Sequence, residues 1–436
     1  MGKTVTENLI EFINASKSSF HAVAEMKTEL KKNGFNELSE AEVWKLQKGG
    51  KYFVTRNDSS IIAFRIPVGD FKAFQIMASH SDSPTFRIKS NPEISVENKY
   101  IKLNTERYGG MIISPWFDRP LSVAGRVMVK TRNGVKTVLV DVDRDILLIP
   151  NLAVHMNREV NNGYKYNAQK DTLPLFSMSK ENGGFDELIA KTAGVKKEDI
   201  VSTELYLYNR ESGLVWGENN EFISAPRLDD LECAYASLQG IIAGKSASSV
   251  TVHAVFDNEE VGSGTKQGAA AGFLQTVLRR INMSMGRTEE DYHVALSNSF
   301  MISADNAHAV HPNYSDVTDP TNRPYINDGV VIKLSANQKY TTDAVSEAIL
   351  KVICDRDDIP TQMFVNRSDM LGGSTLGNIS NTQVALNTVD IGLPQLAMHS
   401  PFETAGVKDI EYLVKLAKSF FNSSISYDGK EYKIKG

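Results

Sequence analysis

Short apolar runs recur along the chain, and five of them are followed at once by a histidine or a carboxylate. The polar residues that close these runs are His80 with Asp82, Asp229, Glu259 with Glu260, Asp305, and His399. In an open α/β sheet, ligands bind in the crevice beyond the carboxyl ends of the strands. The pattern therefore predicts that these side chains converge at one edge of a sheet.

Strand-like and helical segments alternate on both sides of a β-rich interval. Helical spacing of apolar residues covers 5–33 and returns after Pro226 and in the closing segment, while 250–256 and 293–305 have the texture of strands. From 92 to 224 the pattern of apolar and polar residues changes to short β-like runs separated by turns. We predict an α/β fold in which residues 1–91 and 225–436 form a mixed-sheet domain flanked by helices, interrupted by a mainly β domain at 92–224.

Composition disfavours several classes of partner and compartment. Of the 436 residues, 41% are hydrophobic and the formal net charge is −5, with lysine and arginine scattered, so we expect no nucleic-acid and no membrane partner. No apolar run approaches the ~20 residues that span a bilayer. The two cysteines, Cys233 and Cys354, lie outside any CxxC pattern, which argues against a disulfide framework and makes a cytoplasmic protein the default.

The predicted convergent set contains imidazoles and carboxylates but no thiolate. Such ligands suit one or two divalent ions, with zinc expected first and manganese or cobalt as alternatives. A ligating imidazole usually donates its second N–H to a carboxylate, so Asp82 is predicted to orient His80. Each signal has an ordinary alternative: an HxD in a surface loop, paired glutamates in a solvated turn, or an aspartate that caps a helix.

Eight segments resemble, in the same order, those of the aspartyl aminopeptidase and vacuolar aminopeptidase I family of dizinc metallopeptidases. They are SHSDSP, YGG with PWFDRPLSVAGRV, PNLAVHMNR, RLDDL, FDNEEVGS, SADNAHAVHPNY, GGSTLGNI and MHSPFETAG. The resemblance covers nearly the whole chain. It implies a metallopeptidase catalytic domain with two divalent metal ions, an inserted β domain used for dimer contacts, and assembly of homodimers into a tetrahedral dodecamer.

The resemblance also implies a role for each residue of the predicted centre. The implied ligands are His80 and Asp305 for one metal ion and Glu260 and His399 for the other, with Asp229 bridging both. Glu259 would be the general base, taking a proton from a metal-activated water and passing it to the leaving amine. The Asp229–Asp230 peptide matches a position at which related peptidases have a cis bond.

Candidate substrate-binding residues lie outside the predicted metal ligands. They are His155, which the resemblance places in a neighbouring subunit's site, His308, Lys333, Gly373 and Ser374. Lys333 matches a position suited to a carboxylate on the first substrate residue, although an ordinary strand lysine is the alternative. The GGSTLG segment lacks the spacing of a phosphate-binding loop, so a substrate-lining loop is preferred.

The predicted activity is removal of single amino-terminal residues from peptides with a free amino terminus. The resemblance implies that acidic residues are the favoured substrates, with neutral or hydrophobic residues as an alternative, because the family includes enzymes of both preferences; Asn306 and the segment after His399 depart from the family pattern beside this pocket. Two other functions stay open. A dizinc N-acyl amino acid deacylase would hydrolyse N-acetylated substrates, and a catalytically silent assembly or cargo-binding protein would hydrolyse neither, although the intact Glu259 argues against it.

Overall fold

The computed structural model describes residues 3–178, 182–245 and 248–436. Helices pack on both faces of a large sheet, which we call the central sheet. The helices described are α1 (Val5–Ala15), α2 (Ser19–Lys32), α3 (Gly184–Ala193), α4 (Leu228–Ala243), α5 (Phe273–Ser284), α6 (Glu289–Ser297), α7 (Ala344–Arg356), α8 (Leu376–Asn381) and α9 (Val407–Asn422). Across the part of the chain with described coordinates, no helix is long and apolar enough to cross a membrane.

The strands form a central sheet, an insertion sheet, a third sheet and a terminal hairpin. In chain order they are β1 (Asn36–Leu38), β2 (Lys51–Arg56), β3 (Ser60–Arg65), β4 (Ala73–His80), β5 (Thr85–Val96), β6 (Tyr100–Tyr108), β7 (Leu121–Thr131), β8 (Gly134–Asp141), β9 (Leu175–Ser177), β10 (Ile200–Asn209), β11 (Leu214–Trp216), β12 (Phe222–Ala225), β13 (Ser249–Phe256), β14 (Phe300–Ala304), β15 (Ala307–His308), β16 (Val330–Leu334), β17 (Thr361–Val365), β18 (Asn387–Gly392), β19 (Pro394–Leu396), β20 (Glu403–Gly406), β21 (Ser424–Tyr427) and β22 (Tyr432–Lys435).

The central sheet is mixed, and its middle is parallel. Its strand order is β1-β2-β3-β13-β4-β14-β18-β16-β17, and β13, β4, β14 and β18 run in the same direction. All eight residues of β4 and of β13 are buried, because helices cover both faces. Met77 faces a core shared with α1, α2, α4, α7 and α9, while Ile76 faces a second core shared with α5 and α6.

The insertion sheet is antiparallel, with the order β8-β7-β10-β5-β6-β9, and has its own apolar core. The third sheet has the order β11-β12-β20-β19-β15. Strands β11 and β12 come just before α4, and β19 and β20 come just before α9. The prediction of an α/β fold, with a mixed sheet flanked by helices and interrupted by a mainly β unit, is therefore confirmed. The inserted unit also contains the helix α3, which the β-like texture of 92–224 does not predict.

The insertion sheet begins at Thr85 of β5 and ends at Asn209 of β10, and the division of the chain into domains at 92 and 224 stays a prediction. Strand β5 spans the expected boundary at 91/92, and its residues on both sides of that point pair with β6. At the other end, β12 pairs with β20 of the third sheet and not with the insertion sheet. The pairing of β5 with β6 is irregular between Ile88 and Glu93, so the strand continues across residue 92 through a local irregularity. The use of this unit in oligomer contacts stays a prediction.

The segment 293–305 is strand-like over only part of its length. Its first residues belong to α6, which begins with a capping box: the Thr288 hydroxyl accepts a hydrogen bond from the Asp291 amide, and the Asp291 carboxylate accepts one from the Thr288 amide. Such reciprocal caps satisfy the unpaired amides of a first helical turn. Strand β14 begins only at Phe300.

Candidate metal centre

Three neighbouring parallel strands of the central sheet deliver one half of the predicted centre. His80 is the last residue of β4, Glu259 and Glu260 follow β13, and Asp305 comes directly after β14. Strand β4 pairs with β13 on one side and with β14 on the other, both in parallel. The carboxyl ends of these strands meet at one edge, so the side chains converge as the sequence pattern predicts.

Asp229 and His399 approach the same point from the third sheet. Asp229 is at the start of α4 with non-helical dihedral angles, and its peptide bond to Asp230 is cis, as expected from the resemblance. Glu403 of β20 holds both residues by their backbones: it accepts hydrogen bonds from the Asp229 amide at 3.0 Å and from the His399 amide at 2.7 Å. Glu403 is not predicted from the sequence, where it stands out only as an acidic residue in the segment that follows MHSP.

The side chains form three groups of potential metal ligands, two of which contain Asp229 and two of which contain His80; one of them consists of His80, Asp229 and Asp230. One Asp229 oxygen lies 3.6 Å from His80 Nε2, and the other lies 3.3 Å from His399 Nε2. The His399 Nε2 atom is also 3.3 Å from Glu260 Oε2. Potential ligand atoms of Asp229, Glu260 and His399 lie within 4.8 Å of one another, as do those of His80, Glu259 and Asp305. Asp229 thus presents its two oxygens to two different imidazoles.

The donor atoms fit divalent cations. Among the described residues, neither Asp229 Oδ1 nor Glu260 Oε1 has a hydrogen-bond partner, and both are buried. Buried carboxylate oxygens without partners are costly unless a cation or a proton neutralises them. A cluster of imidazole nitrogens and carboxylate oxygens matches the ligand preference of zinc. The residues present could therefore hold a pair of such ions, with Asp229 between them.

Asp82 makes different contacts from those expected of its carboxylate. The ring nitrogen Nδ1 of His80 lies 3.1 Å from the backbone carbonyl oxygen of Asp82 and 3.5 Å from its carboxylate. A carbonyl can only accept, so Nδ1 carries a proton, and Nε2 is the ring atom directed at Asp229. The Asp82 carboxylate instead accepts hydrogen bonds from the amides of Glu259 at 3.1 Å and Glu260 at 3.2 Å.

Glu259 and Glu260 lie in a short 3-10 turn rather than in an extended strand. The residues on either side of the turn, Asn258 and Gly262, are left-handed, with φ angles of 61° and 93°. Because the backbone turns here, adjacent side chains need not point to opposite faces as they do on a strand. Glu259 joins His80 and Asp305, whereas Glu260 joins Asp229 and His399.

Burial favours the protonated forms of Glu259 and Glu403 when no cation is bound, whereas His399 and His80 outweigh burial and lower the pKa of Asp229. Burial raises the pKa of Glu259 to about 8; His80 opposes this shift, and Asp305, Asp82 and Asp229 add to it. Burial, together with Asp229, raises the pKa of Glu403 to about 8 as well. Bound cations would reverse these shifts, because an opposite charge favours the ionised form.

A cleft beside the centre collects four of the five predicted substrate-binding residues. His308, Lys333, Gly373 and Ser374 line it, together with Tyr340, Phe364 and Met398. His155 lies on an exposed loop after β8 and is not one of the residues that line this cleft of its own chain. A single chain therefore brings together the predicted metal ligands and all of the predicted substrate-binding residues except His155.

Lys333 is buried at the floor of this cleft. Its ammonium group donates to the carbonyl oxygens of Asp305 at 2.7 Å and Asn306 at 3.2 Å, and lies 3.6 Å from the Asp305 carboxylate. Burial disfavours its charge, but Asp305 and other acidic groups more than compensate and raise the pKa of Lys333 above its usual value. The lysine therefore stays charged, with one of its three N–H groups not used by these carbonyls.

We predict that the metal-free protein loses stability as pH rises. Glu259 and Glu403 bind protons more tightly in the folded protein than in the unfolded chain, so stability falls between about pH 4.5 and about pH 8. Thermal unfolding of metal-stripped protein should show a midpoint that decreases by a few degrees over this window, and added zinc should stabilise more at pH 8 than at pH 5.

The matched variant is Glu259→Gln, which removes one titrating group and should flatten the pH dependence of the metal-free midpoint. A midpoint that rises with pH in the metal-stripped wild type, or zinc stabilisation equal at both ends of the window, would contradict the electrostatic description.

Comparison with known proteins identifies relatives over nearly the whole chain. Residues 12–421 match the family model described as aminopeptidase I zinc metalloprotease (M18). A curated relative from Clostridium acetobutylicum, named probable M18 family aminopeptidase 2, is 51% identical over 425 residues, which cover 95% of this chain and 98% of the relative.

Solved structures give the same result. A chain from the cryo-EM structure of the Ape4 and Nbr1 complex has a TM-score of 0.93 at 38% identity and covers 96% of this chain and 85% of its own. A chain of the mApe1 dodecamer of S. cerevisiae has a TM-score of 0.85 at 27% identity, with 96% of each chain covered.

Proposed function

The chain belongs to the M18 family of aminopeptidase I zinc metalloproteases, and from this premise we propose that it removes single amino-terminal residues from peptides at a dinuclear metal centre, with acidic residues favoured. Membership confirms the family predicted from the sequence. That the relatives are named aminopeptidases favours this reaction over N-acyl amino acid deacylation and over a silent assembly role.

The observation that carries the proposal is the arrangement around Asp229. Its two oxygens face His80 and His399, each of which has a second carboxylate within reach, Asp305 in one group and Glu260 in the other. This supports a bridging role for Asp229 between two ions, with zinc first and manganese or cobalt as alternatives. When bound, such a pair would lower the pKa of a water molecule and polarise the carbonyl of the scissile bond.

Glu259 is the proposed general base. It shares a group with His80 and Asp305, and it faces the substrate cleft, which Glu260 does not line. Its neighbour Glu260 is nearly covered, with 3% of its side chain exposed, and lies against His399. Glu259 would accept a proton from the attacking water and donate it to the leaving amine, while Glu260 stays ionised as a ligand.

We predict that Glu259→Gln lowers kcat by at least about a hundredfold and keeps the full metal content, because it removes proton transfer and retains the shape of the side chain. Glu260→Ala is the matched variant at the next residue and should lose one metal equivalent. Activity is measured on amino-acyl anilides and metal content by elemental analysis. Retained activity in Glu259→Gln would contradict the assignment of Glu259 as the general base.

Preference for acidic residues is supported by Lys333. The buried ammonium lines the cleft beside the centre and has one N–H left after binding the Asp305 and Asn306 carbonyls. A charged, desolvated donor of this kind binds a substrate carboxylate more strongly than a neutral side chain. His308, Gly373 and Ser374 complete the proposed wall around the first substrate residue.

We predict that the wild type cleaves Asp and Glu anilides in preference to Leu and Lys anilides, and that Lys333→Met lowers the ratio of kcat/KM for Asp over Leu by at least about tenfold. The ratio separates specificity from any general loss through Asp305, and metal content serves as the control. A wild type that prefers leucine, or an unchanged ratio in the variant, would contradict the role of Lys333.

The proposed assembly is a homo-oligomer built from dimers, up to a tetrahedral dodecamer. The yeast relative is described as a dodecamer. In this chain the loop that carries His155 also exposes Leu152, Val154 and Met156, of which Met156 is 76% exposed. Exposed apolar side chains grouped on one loop favour a protein contact. We place His155 in the active site of the neighbouring subunit.

We predict that His155→Phe reduces activity and retains metal content. Co-expression with Glu259→Gln subunits should restore part of the activity, because one mixed site would then contain both an intact His155 and an intact Glu259. Activity is compared with that of each variant expressed alone, and the size of the assembly is measured by light scattering. Absence of any rescue in mixed oligomers would favour a role for His155 within its own chain.

A further inference from the structure

The inserted unit reaches the metal centre within its own chain through the end of β6. The hydroxyl of Tyr108, the last residue of β6, donates a 2.6 Å hydrogen bond to the Asp82 carboxylate. The same hydroxyl accepts a 2.8 Å hydrogen bond from the side-chain amide of Asn258. Tyr108 therefore connects Asp82, two residues after β4, to Asn258, the residue that begins the glutamate turn.

Asp82 transmits this contact to both glutamates. Its two carboxylate oxygens accept the amides of Glu259 and Glu260, and Oδ2 is shared between Glu260 and the Tyr108 hydroxyl. A carboxylate that turned away would leave two buried amides without partners, which is costly. The orientation of Asp82 thus determines where the turn lies, and Tyr108 is the side chain that restrains this orientation from the insertion.

Asn258 is restrained from the other side. Its side-chain oxygen accepts hydrogen bonds from the Thr265 hydroxyl at 2.8 Å and from the Gln267 amide at 2.7 Å, and its backbone is left-handed. Because its side-chain nitrogen donates to Tyr108, both the nitrogen and the oxygen of the Asn258 side chain are hydrogen-bonded. The network runs from the loop after the turn, through Asn258 and Tyr108, to Asp82.

The residues after Tyr108 also touch Glu260 and His399 of the candidate centre. A Cβ added to Gly109, which has a φ angle of 76°, would lie 3.2 Å from Glu260 Cβ, so the backbone passes directly against that side chain. The Ile112 amide donates a 3.1 Å hydrogen bond to the His399 carbonyl. The segment from Tyr108 to Ile112 therefore forms a wall of the centre.

We propose that Tyr108 is a positioning residue of the proposed aminopeptidase reaction: its hydroxyl holds the Asp82 carboxylate in the orientation that fixes the Glu259–Glu260 turn. This assigns the inserted unit a function inside its own chain's active site, in addition to any contact with a neighbouring subunit. The proposal rests on the proposed function for its kinetic consequence, whereas its structural consequence is measurable without metal or substrate.

The test compares Tyr108→Phe with Tyr206→Phe. Tyr206, on β10, packs edge to face against Tyr108, with ring centres 5.8 Å apart, and its hydroxyl makes no hydrogen bond to any described residue. Both variants remove one hydroxyl from neighbouring rings of the same sheet. Only the first removes the contact with Asp82.

The first measurement is hydrogen–deuterium exchange of the metal-free proteins. The amides of Glu259 and Glu260 should exchange about tenfold or more faster in Tyr108→Phe than in the wild type, the scale of one lost hydrogen bond to a charged acceptor. They should keep wild-type protection in Tyr206→Phe. Unchanged protection in Tyr108→Phe, or an equal loss in both variants, would overturn the proposal.

The second measurement is the dependence on Asp82. If Tyr108 acts through Asp82, adding Tyr108→Phe to Asp82→Asn should not accelerate exchange of the two amides further, whereas independent effects would multiply. Exchange in the double variant that is faster by the product of the two single effects would overturn the proposal. A general loss of structure would instead accelerate exchange throughout the insertion sheet and lower the unfolding midpoint, and would also count against a positioning role.

The third measurement is kinetic. In the metal-loaded enzyme Tyr108→Phe should lower kcat about tenfold with KM changed less than about twofold, because the substrate cleft is untouched. A change in KM alone would overturn the proposal. A wild type without aminopeptidase activity would refute the proposed function, while the exchange measurement would still decide the role of Tyr108.

Discussion

The structure depends on how it neutralises several carboxylates buried against one another at the edge of the central sheet. Asp229, Glu260 and Asp305 lie within a few ångströms of one another or of the same imidazoles, and burial raises the pKa of Glu260 and Asp305. Lys333 lies 3.6 Å from the Asp305 carboxylate and offsets part of this charge, while backbone amides of Glu259 and Glu260 stabilise the neighbouring Asp82 carboxylate. What remains is a set of buried oxygens without donors, which fits the proposed pair of divalent cations.

Much of the site is predictable from the sequence because it is built from strand ends. His80, Glu260 and Asp305 each follow a buried apolar run, and such runs in a parallel sheet end at one edge, so local pattern is enough to group them. The turn at Glu259 is also predictable, since Asp-Asn before the pair and a glycine after it favour left-handed backbone. His399 follows a short strand of a different sheet, so the pattern of runs groups it with the centre, while its role as a ligand comes from the resemblance to a known family.

The rest of the site depends on contacts that no local pattern reveals. Glu403 binds the amides of two residues that lie far apart in sequence, and Tyr108 crosses from the insertion to Asp82, so neither role has a spacing that could be read from the chain. The start of the insertion sheet at Thr85 is hidden for a related reason, because the irregular pairing of β5 with β6 between Ile88 and Glu93 depends on contacts with another strand. The helix α6 was predictable from the capping box at Thr288, but its apolar residues also suit a strand.

Asp229 is the residue proposed to bridge two metal ions, and the roles proposed for the other ligands depend on it. The most direct test is anomalous X-ray diffraction, measured on either side of the zinc absorption edge, from crystals grown with zinc. We predict two anomalous peaks, one next to His80 and Asp305 and the other next to Glu260 and His399, with a carboxylate oxygen of Asp229 bound to each. A single peak at full occupancy, or two peaks of which only one contacts Asp229, would contradict the account.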